Sequence, residues 1–130
     1  MSSRPNHSAG KVLIIDDEPV IADTLAIILR QSGFDAVAAY TGGEAVEKAK
    51  TWLPDLLLSD IILPDMNGVQ AVDRILENQP HCRVLLISGQ AGVVAAVGDS
   101  KLATGAAVDV IAKPIHPEDL VGKVRKLLST

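Results

Sequence analysis

Four short apolar runs in this chain each lead into a polar residue that could do chemistry. Val12-Leu13-Ile14-Ile15 is followed by Asp16-Asp17-Glu18, Leu56-Leu57-Leu58 by Asp60, Val84-Leu85-Leu86-Ile87 by Ser88, and Val108 to Ala112 by Lys113. Taken singly, each has an ordinary explanation. The acids before Pro19 complement the dipole at a helix N-terminus, and Asp60 suits an Asx turn leading into Pro64-Asp65-Met66-Asn67-Gly68. Ser88 before Gly89 reads as a loop or cap serine, and Lys113 as a solvated charge. Brought together, they would form a small cleft of carboxylates, one hydroxyl and one ammonium, which suits a hard divalent cation and a phosphoryl group.

Whether they meet depends on the elements that carry them. With 130 residues, 48% of them apolar and 22% charged, the chain has the size of one globular domain. Met1 to Gly10 is polar and is expected to be a disordered tail, leaving residues 11–130 as the domain. β-branched and leucine-rich runs predict strands at Val12 to Ile15, Leu56 to Leu58, Val84 to Ile87 and, around Asp109, Val108 to Ala112, with a weaker one over Asp35 to Ala39. Between them the period becomes helical. A first helix carries Val20, Ile21, Thr24, Leu25, Ile28 and Leu29 as its apolar stripe and stops at Gly33. A second starts at Thr41-Gly42-Gly43-Glu44, which has capping-box spacing, and reaches about Trp52. Val69, Val72, Ile75 and Leu76 mark a third. The fourth, about Ala91 to Ala103, is interrupted by Gly92 and Gly98, and the fifth starts at Pro117 with Glu118 and Asp119 in its first turn.

Five βα units predict an α/β fold: a three-layer (βα)5 doubly wound parallel sheet with strand order 2-1-3-4-5. In such sheets ligands bind beyond the C-terminal ends of the strands, at the switch point between the first and third. The four polar positions all fall at those ends.

Composition removes several other functions. Twelve Lys+Arg against sixteen Asp+Glu give a net charge of -4, the wrong sign for gripping a phosphate backbone. Phe34, Tyr40 and Trp52 are too few to stack bases or a flavin. Cys82 is the lone cysteine, so no internal disulfide is possible, and a reducing cytoplasm is the expected compartment. No apolar run reaches the roughly eighteen residues of a membrane span. His7, His81 and His116 are too separated to form a metal site.

Mg2+ keeps several waters and is commonly held by one or two carboxylates together with phosphate oxygens. Asp17 and Asp60 could bind it directly and Asp16 through water. One carboxylate could then attack phosphorus, and Asp60, which leads a loop of its own, is the best candidate. Lys113 would neutralise the equatorial phosphoryl oxygens while Ser88 donates a hydrogen bond.

The segments VLIIDDEP, LLLSDIILPDMNG, LLISG and VIAKP, in that order, make the chain resemble a receiver domain of a two-component response regulator from about Lys11 to Leu128. Asp17 and Asp60 lie 43 residues apart, as in that family. The resemblance implies that Asp60 accepts a phosphoryl group from a phosphohistidine on a sensor histidine kinase or phosphotransfer protein. It implies Mg2+ held by Asp16, Asp17, Asp60 and the backbone carbonyl of Ile62, with Ser88 and Lys113, ahead of a cis Pro114, moving to the phosphoryl group. Output in the family runs through the face of the fourth helix, fifth strand and fifth helix, to a protein target or a second copy of the chain.

Three departures stand out. The family's switch aromatic, three residues before the lysine, corresponds here to Val110. Ser88 and Lys113 are 25 residues apart, a few more than usual, with the excess in the glycine-interrupted fourth helix. No effector domain follows Thr130 in this sequence, so output within this chain is expected through protein contact, whether it stands alone or is a fragment of something longer. Rival readings are a receiver-like module that is never phosphorylated and a haloacid-dehalogenase-type phosphatase. The latter carries a second Asp two residues after the nucleophile for acid–base work, where this chain has Ile62. A flavodoxin-type electron carrier fits worse, since bare carboxylates at Asp16-Asp17-Glu18 repel phosphate. A phosphoaccepting signalling domain, rather than an enzyme, is the expectation.

Overall fold

The structure is a computed structural model that describes residues 9–89 and 108–129. The elements are β1 (Lys11–Ile15), α1 (Pro19–Gln31), β2 (Asp35–Ala39), α2 (Gly42–Trp52), β3 (Leu56–Asp60), α3 (Gly68–Asn78), β4 (Arg83–Ser88), β5 (Val108–Ala112) and α4 (Pro117–Leu128). The helix expected over 91–103 lies outside the described residues, so α4 is the helix predicted to start at Pro117.

All four strand pairings are parallel and the order is β2-β1-β3-β4-β5, as the alternation of elements predicts. Side chains alternate across the sheet and divide the core in two. Val12, Ile14, Leu56, Leu58, Leu85 and Ile87 face α1 and α4, where Leu25, Leu29, Leu120 and Val124 meet them. Leu13, Ile15, Leu57, Val84 and Leu86 face α2 and α3, meeting Ala45, Ala49, Val72 and Ile75. The two covered faces explain why the central strands read as unbroken apolar runs.

Helix α1 differs from its predicted stripe. The buried residues are Ala22, Leu25, Ala26 and Leu29, while Thr24 is exposed, Ile21 and Ile28 are half-buried, and Val20 is 80% exposed. Ala22 and Ala26, one turn apart, are small enough for the helix to lie close to the sheet, and that approach turns the larger branched residues to the flank. Strands β3 and β4 also run further than expected, ending on Asp60 and Ser88 themselves. At the other end of the sheet, Ala9 and Gly10 already engage it: Ala9 N–H donates to Gly33 O and Gly10 O accepts from Asp35 N–H, both at 2.9 Å.

The free edge of β2 is covered by side chains. Its outward carbonyls at Ala36 and Ala38 accept from Arg30 Nε at 3.0 Å and Lys48 Nζ at 2.7 Å, one cation from each flanking helix.

Candidate functional site

The parallel register brings the predicted residues to one end of the sheet. Ile15 pairs with Ser59, so Asp16 and Asp60 follow at neighbouring positions on β1 and β3, and Ser88 pairs with Ala112, placing Lys113 one residue beyond. Oxygens of Asp16, Asp17 and Asp60 all lie within 4.8 Å of one another. Asp16 is 1% exposed and Asp60 9%, while Asp17 is open to solvent.

Asp16 Oδ1 accepts the Glu18 N–H at 3.0 Å. Its Oδ2 is the one buried side-chain polar atom among the described residues with no hydrogen-bond partner. Burial pushes its carboxyl above the ordinary 3.8; the Glu18 amide opposes this, and the Asp60 charge adds to it. An orphaned, buried carboxylate oxygen on a residue clustered with two further carboxylates is a costly arrangement without a cation, and an all-oxygen donor set fits Mg2+. No histidine or cysteine joins a metal-ligating cluster among the described residues.

Asp60 is held on both oxygens. Oδ1 accepts from Ile62 N–H at 3.2 Å, and Oδ2 pairs with Lys113 Nζ at 3.2 Å. Lys113 is itself anchored by its backbone, whose N–H donates to Ser88 O at 3.0 Å. Burial alone would lower the lysine's pKa; the charge and hydrogen bond of Asp60, with Asp16 behind it, raise it above 10.5. The Lys113–Pro114 peptide is cis, as the resemblance implies. Ser88 is 4% exposed, at the end of β4 between the strands that carry Asp60 and Lys113. Val110 is half-buried and packs against the α2–α3 side of the core.

Two features of the loop after Asp60 were not foreseen. Gly68 lies directly beneath the Asp60 carbonyl, where a Cβ would collide with the backbone oxygen, so only glycine allows α3 to start this close. Asp65 turns away from the cleft and accepts the N–H groups of Gly42 and Gly43, both at 2.9 Å. The Gly43 and Gly42 amides hold its carboxyl below the ordinary range. The available signal was a pair of glycines opening α2, whose amides carry no side chain of their own to cap them, but nothing in the sequence pairs them with a residue 22 positions away.

Cys82 is buried, its thiol pushed up to about 12 by that burial, and donates to Pro54 O. It plays no part at the strand ends. His81 and His116 are exposed and away from the carboxylates. Beside the cleft, Val20, Ile21, Thr24, Ile28, Pro114 and Ile115 line a largely apolar groove of about 400 Å3 that also touches Lys113.

An open parallel sheet presenting three acids and a lysine at its switch point defines a class of doubly wound domain built around a cation and a phosphoryl group. The description "Response regulator receiver domain" matches residues 12–125, and the chain belongs to that family. It is 35% identical over 118 residues, 91% of its length, to the DNA-binding response regulator MtrA of Mycolicibacterium smegmatis, and 33% identical over 125 residues, 96% of its length, to the transcriptional regulatory protein TrcR of Mycobacterium tuberculosis. It spans about half the length of those two relatives, 50% and 48%. Among solved structures, a CheY-like response regulator receiver domain protein from Methanospirillum hungatei superposes with a TM-score of 0.81 at 32% identity, over 92% of this chain and 93% of the other. The chain is thus a receiver domain of two-component signal transduction. Among the described residues no helix is long and apolar enough to cross a membrane.

Proposed function

We propose that Asp60 is the phosphoacceptor and that Asp16, Asp17, Asp60 and the Ile62 backbone carbonyl hold Mg2+. The observation that carries this reading is the pairing of Asp60 with Lys113 next to the orphaned Asp16 Oδ2. A carboxylate oxygen of Asp60 attacks the phosphorus of a phosphohistidine; the P–O bond forms, the P–N bond breaks, and the imidazole nitrogen keeps the electron pair and takes a proton. Mg2+, when bound, offsets negative charge on the phosphoryl oxygens. Lys113 leaves its ion pair to neutralise a second oxygen, and Ser88 donates a hydrogen bond to a third.

The donor is a sensor histidine kinase or histidine phosphotransfer protein. The apolar groove beside Lys113 gives it a surface to rest on while its histidine reaches Asp60, and the exposure of Val20 is then accounted for by a partner rather than by the core. Ile62, with an exposed apolar side chain two residues after Asp60, supplies no base to activate water, so the acyl phosphate persists as a signal. The added charge of about -1.5 to -2 draws Ser88 and Lys113 inward and alters the face built on β5 and α4, with Val110 in place of an aromatic rotor. A net charge of -4 favours a protein target over nucleic acid for this domain.

Intact-mass measurement after incubation with Mg2+ and a small-molecule phosphodonor tests the reading. Wild type is expected to gain one phosphoryl group and Asp60→Ala none. An equal gain in both, or no gain by wild type under conditions that label another receiver domain, overturns it.

A further inference from the structure

We infer that Asp65 is a positioning residue for the loop that follows Asp60. By bridging two amides at the N-terminus of α2, its carboxylate holds residues 61–67, and with them the Ile62 carbonyl, in the geometry the metal needs. The inference rests on the Mg2+ reading given above.

The N-terminus of α2 has its donors divided between two sources. Thr41 Oγ1 accepts from Glu44 N–H at 3.0 Å, and Thr41 O accepts from Ala45 N–H at 3.1 Å, which is the ordinary cap. The first two amides, of Gly42 and Gly43, are left for Asp65, whose two oxygens take one each at 2.9 Å. A carboxylate on helix N-terminal amides is a charge-assisted pair aligned with the helix dipole. Met66 adds a steric contact: a Cβ on buried Gly42 would lie 2.5 Å from Met66 Cγ and 2.8 Å from its Sδ, so the loop sits in the space the glycine leaves.

The base of the same loop is closed by backbone. Gly68 N–H donates to Ile61 O at 2.6 Å, and Ile62 bridges Asn67 in antiparallel fashion. Ile61 and Leu63 are buried in the core and hold the chain on either side of Ile62, whose own side chain is 64% exposed. Beyond Leu63 the loop leaves the core at exposed Pro64, and Asp65 and Met66 are its contacts with α2. The Asp65 clamp thus fixes the far side of the loop that carries the Ile62 peptide, and it does so from outside the metal site, as residues that orient metal ligands commonly do.

Calorimetric Mg2+ titration of the full chain, at a temperature where circular dichroism shows every variant folded, tests this with Asp65→Ala, Asp65→Asn and Thr41→Ala. Asp65→Ala is expected to weaken Mg2+ about tenfold, the low end for residues that orient metal ligands. Asp65→Asn, which keeps one acceptor, falls between it and wild type. Thr41→Ala removes the ordinary cap of α2 without touching the loop and leaves the affinity unchanged. In the metal-free protein, amide exchange over 61–67 speeds up in Asp65→Ala and not in Thr41→Ala. Wild-type affinity in Asp65→Ala overturns the inference while leaving the Mg2+ site intact. Equal weakening by Thr41→Ala overturns it too, by assigning the effect to helix stability. Failure of wild type to bind Mg2+ overturns the metal reading and this inference with it.

Discussion

Lys113 Nζ stands 3.2 Å from Asp60 Oδ2 although the strands that lead to these residues, β5 and β3, are not neighbours. Strand β4 runs between them, and the lysine stem passes over its end, where a Cβ on Gly89 would lie 3.9 Å from Lys113 Cδ. The lysine is thus a cation parked on the carboxylate proposed as phosphoacceptor. Lys113→Ala should cut phosphodonor labelling of Asp60 at least about tenfold, because a charge aimed at the transferring oxygens is lost. Mg2+ affinity should hold or rise, since a positive charge leaves the cation site. Titration calorimetry beside a labelling time course checks both, and parallel losses in the two would contradict the assigned role.

Metal-free stability should carry the cost of the acidic cluster. Burial and the charge of Asp60 set the Asp16 pKa above its unfolded value of 3.8, so the folded state binds that proton more tightly than the unfolded state. Stability from this group is therefore greatest at low pH and is lost as the pH rises through the raised value. Asp16→Asn should remove that limb and raise the metal-free melting temperature at neutral pH by a few degrees, roughly 2–5 °C per kcal/mol regained in a domain of this size. Mg2+ at about a hundred times its Kd should stabilise wild type by on the order of 2–3 kcal/mol and the variant by much less. Urea denaturation between about pH 4 and pH 7, with and without Mg2+, reads all of this.

The strand ends were legible because the sheet is parallel and buried on both faces. Val12 to Ile15 and Val84 to Ile87 are uninterrupted apolar runs, so the first polar residue after each, Asp16 and Ser88, marks where the crevice begins; Asp60 stands one residue further on, past buried Ser59, and Lys113 follows a strand that Asp109 interrupts. The orientation of α1 was not legible. Val20, Ile21 and Ile28 are more apolar than Ala22 and Ala26, yet close packing on a sheet selects small residues, and the periodicity of hydrophobicity does not weigh size. Asp65 was hidden for another reason: its partners are backbone amides, which leave no trace in the side-chain pattern.

The groove on α1 gives a selective test of the donor surface. Val20 is 80% exposed, so Val20→Glu should leave the fold within about 0.5 kcal/mol of wild type, as surface substitutions generally do. Phosphoryl transfer from a protein phosphohistidine should fall about tenfold or more, as expected when a charge is set in an apolar contact. Labelling by a small phosphodonor should not change. Loss of both activities would place Val20 in the chemistry rather than in docking.

The cations on the β2 edge predict a solubility effect. Arg30 and Lys48 cover the carbonyls of Ala36 and Ala38, so the double variant Arg30→Ala, Lys48→Ala exposes an unpaired strand edge. Light scattering at high concentration should show association that neither single variant shows to the same degree. A double variant that stays monomeric would mean the edge is protected by other means.

The most direct test of the phosphoacceptor assignment is to locate the phosphoryl group. Borohydride reduces an aspartyl phosphate to homoserine, and peptide mass mapping after labelling then reports which carboxylate was modified. Conversion at Asp60 alone is expected, absent without Mg2+. Conversion at Asp16 or Asp17, or at Asp60 to the same extent without the metal, would contradict the account.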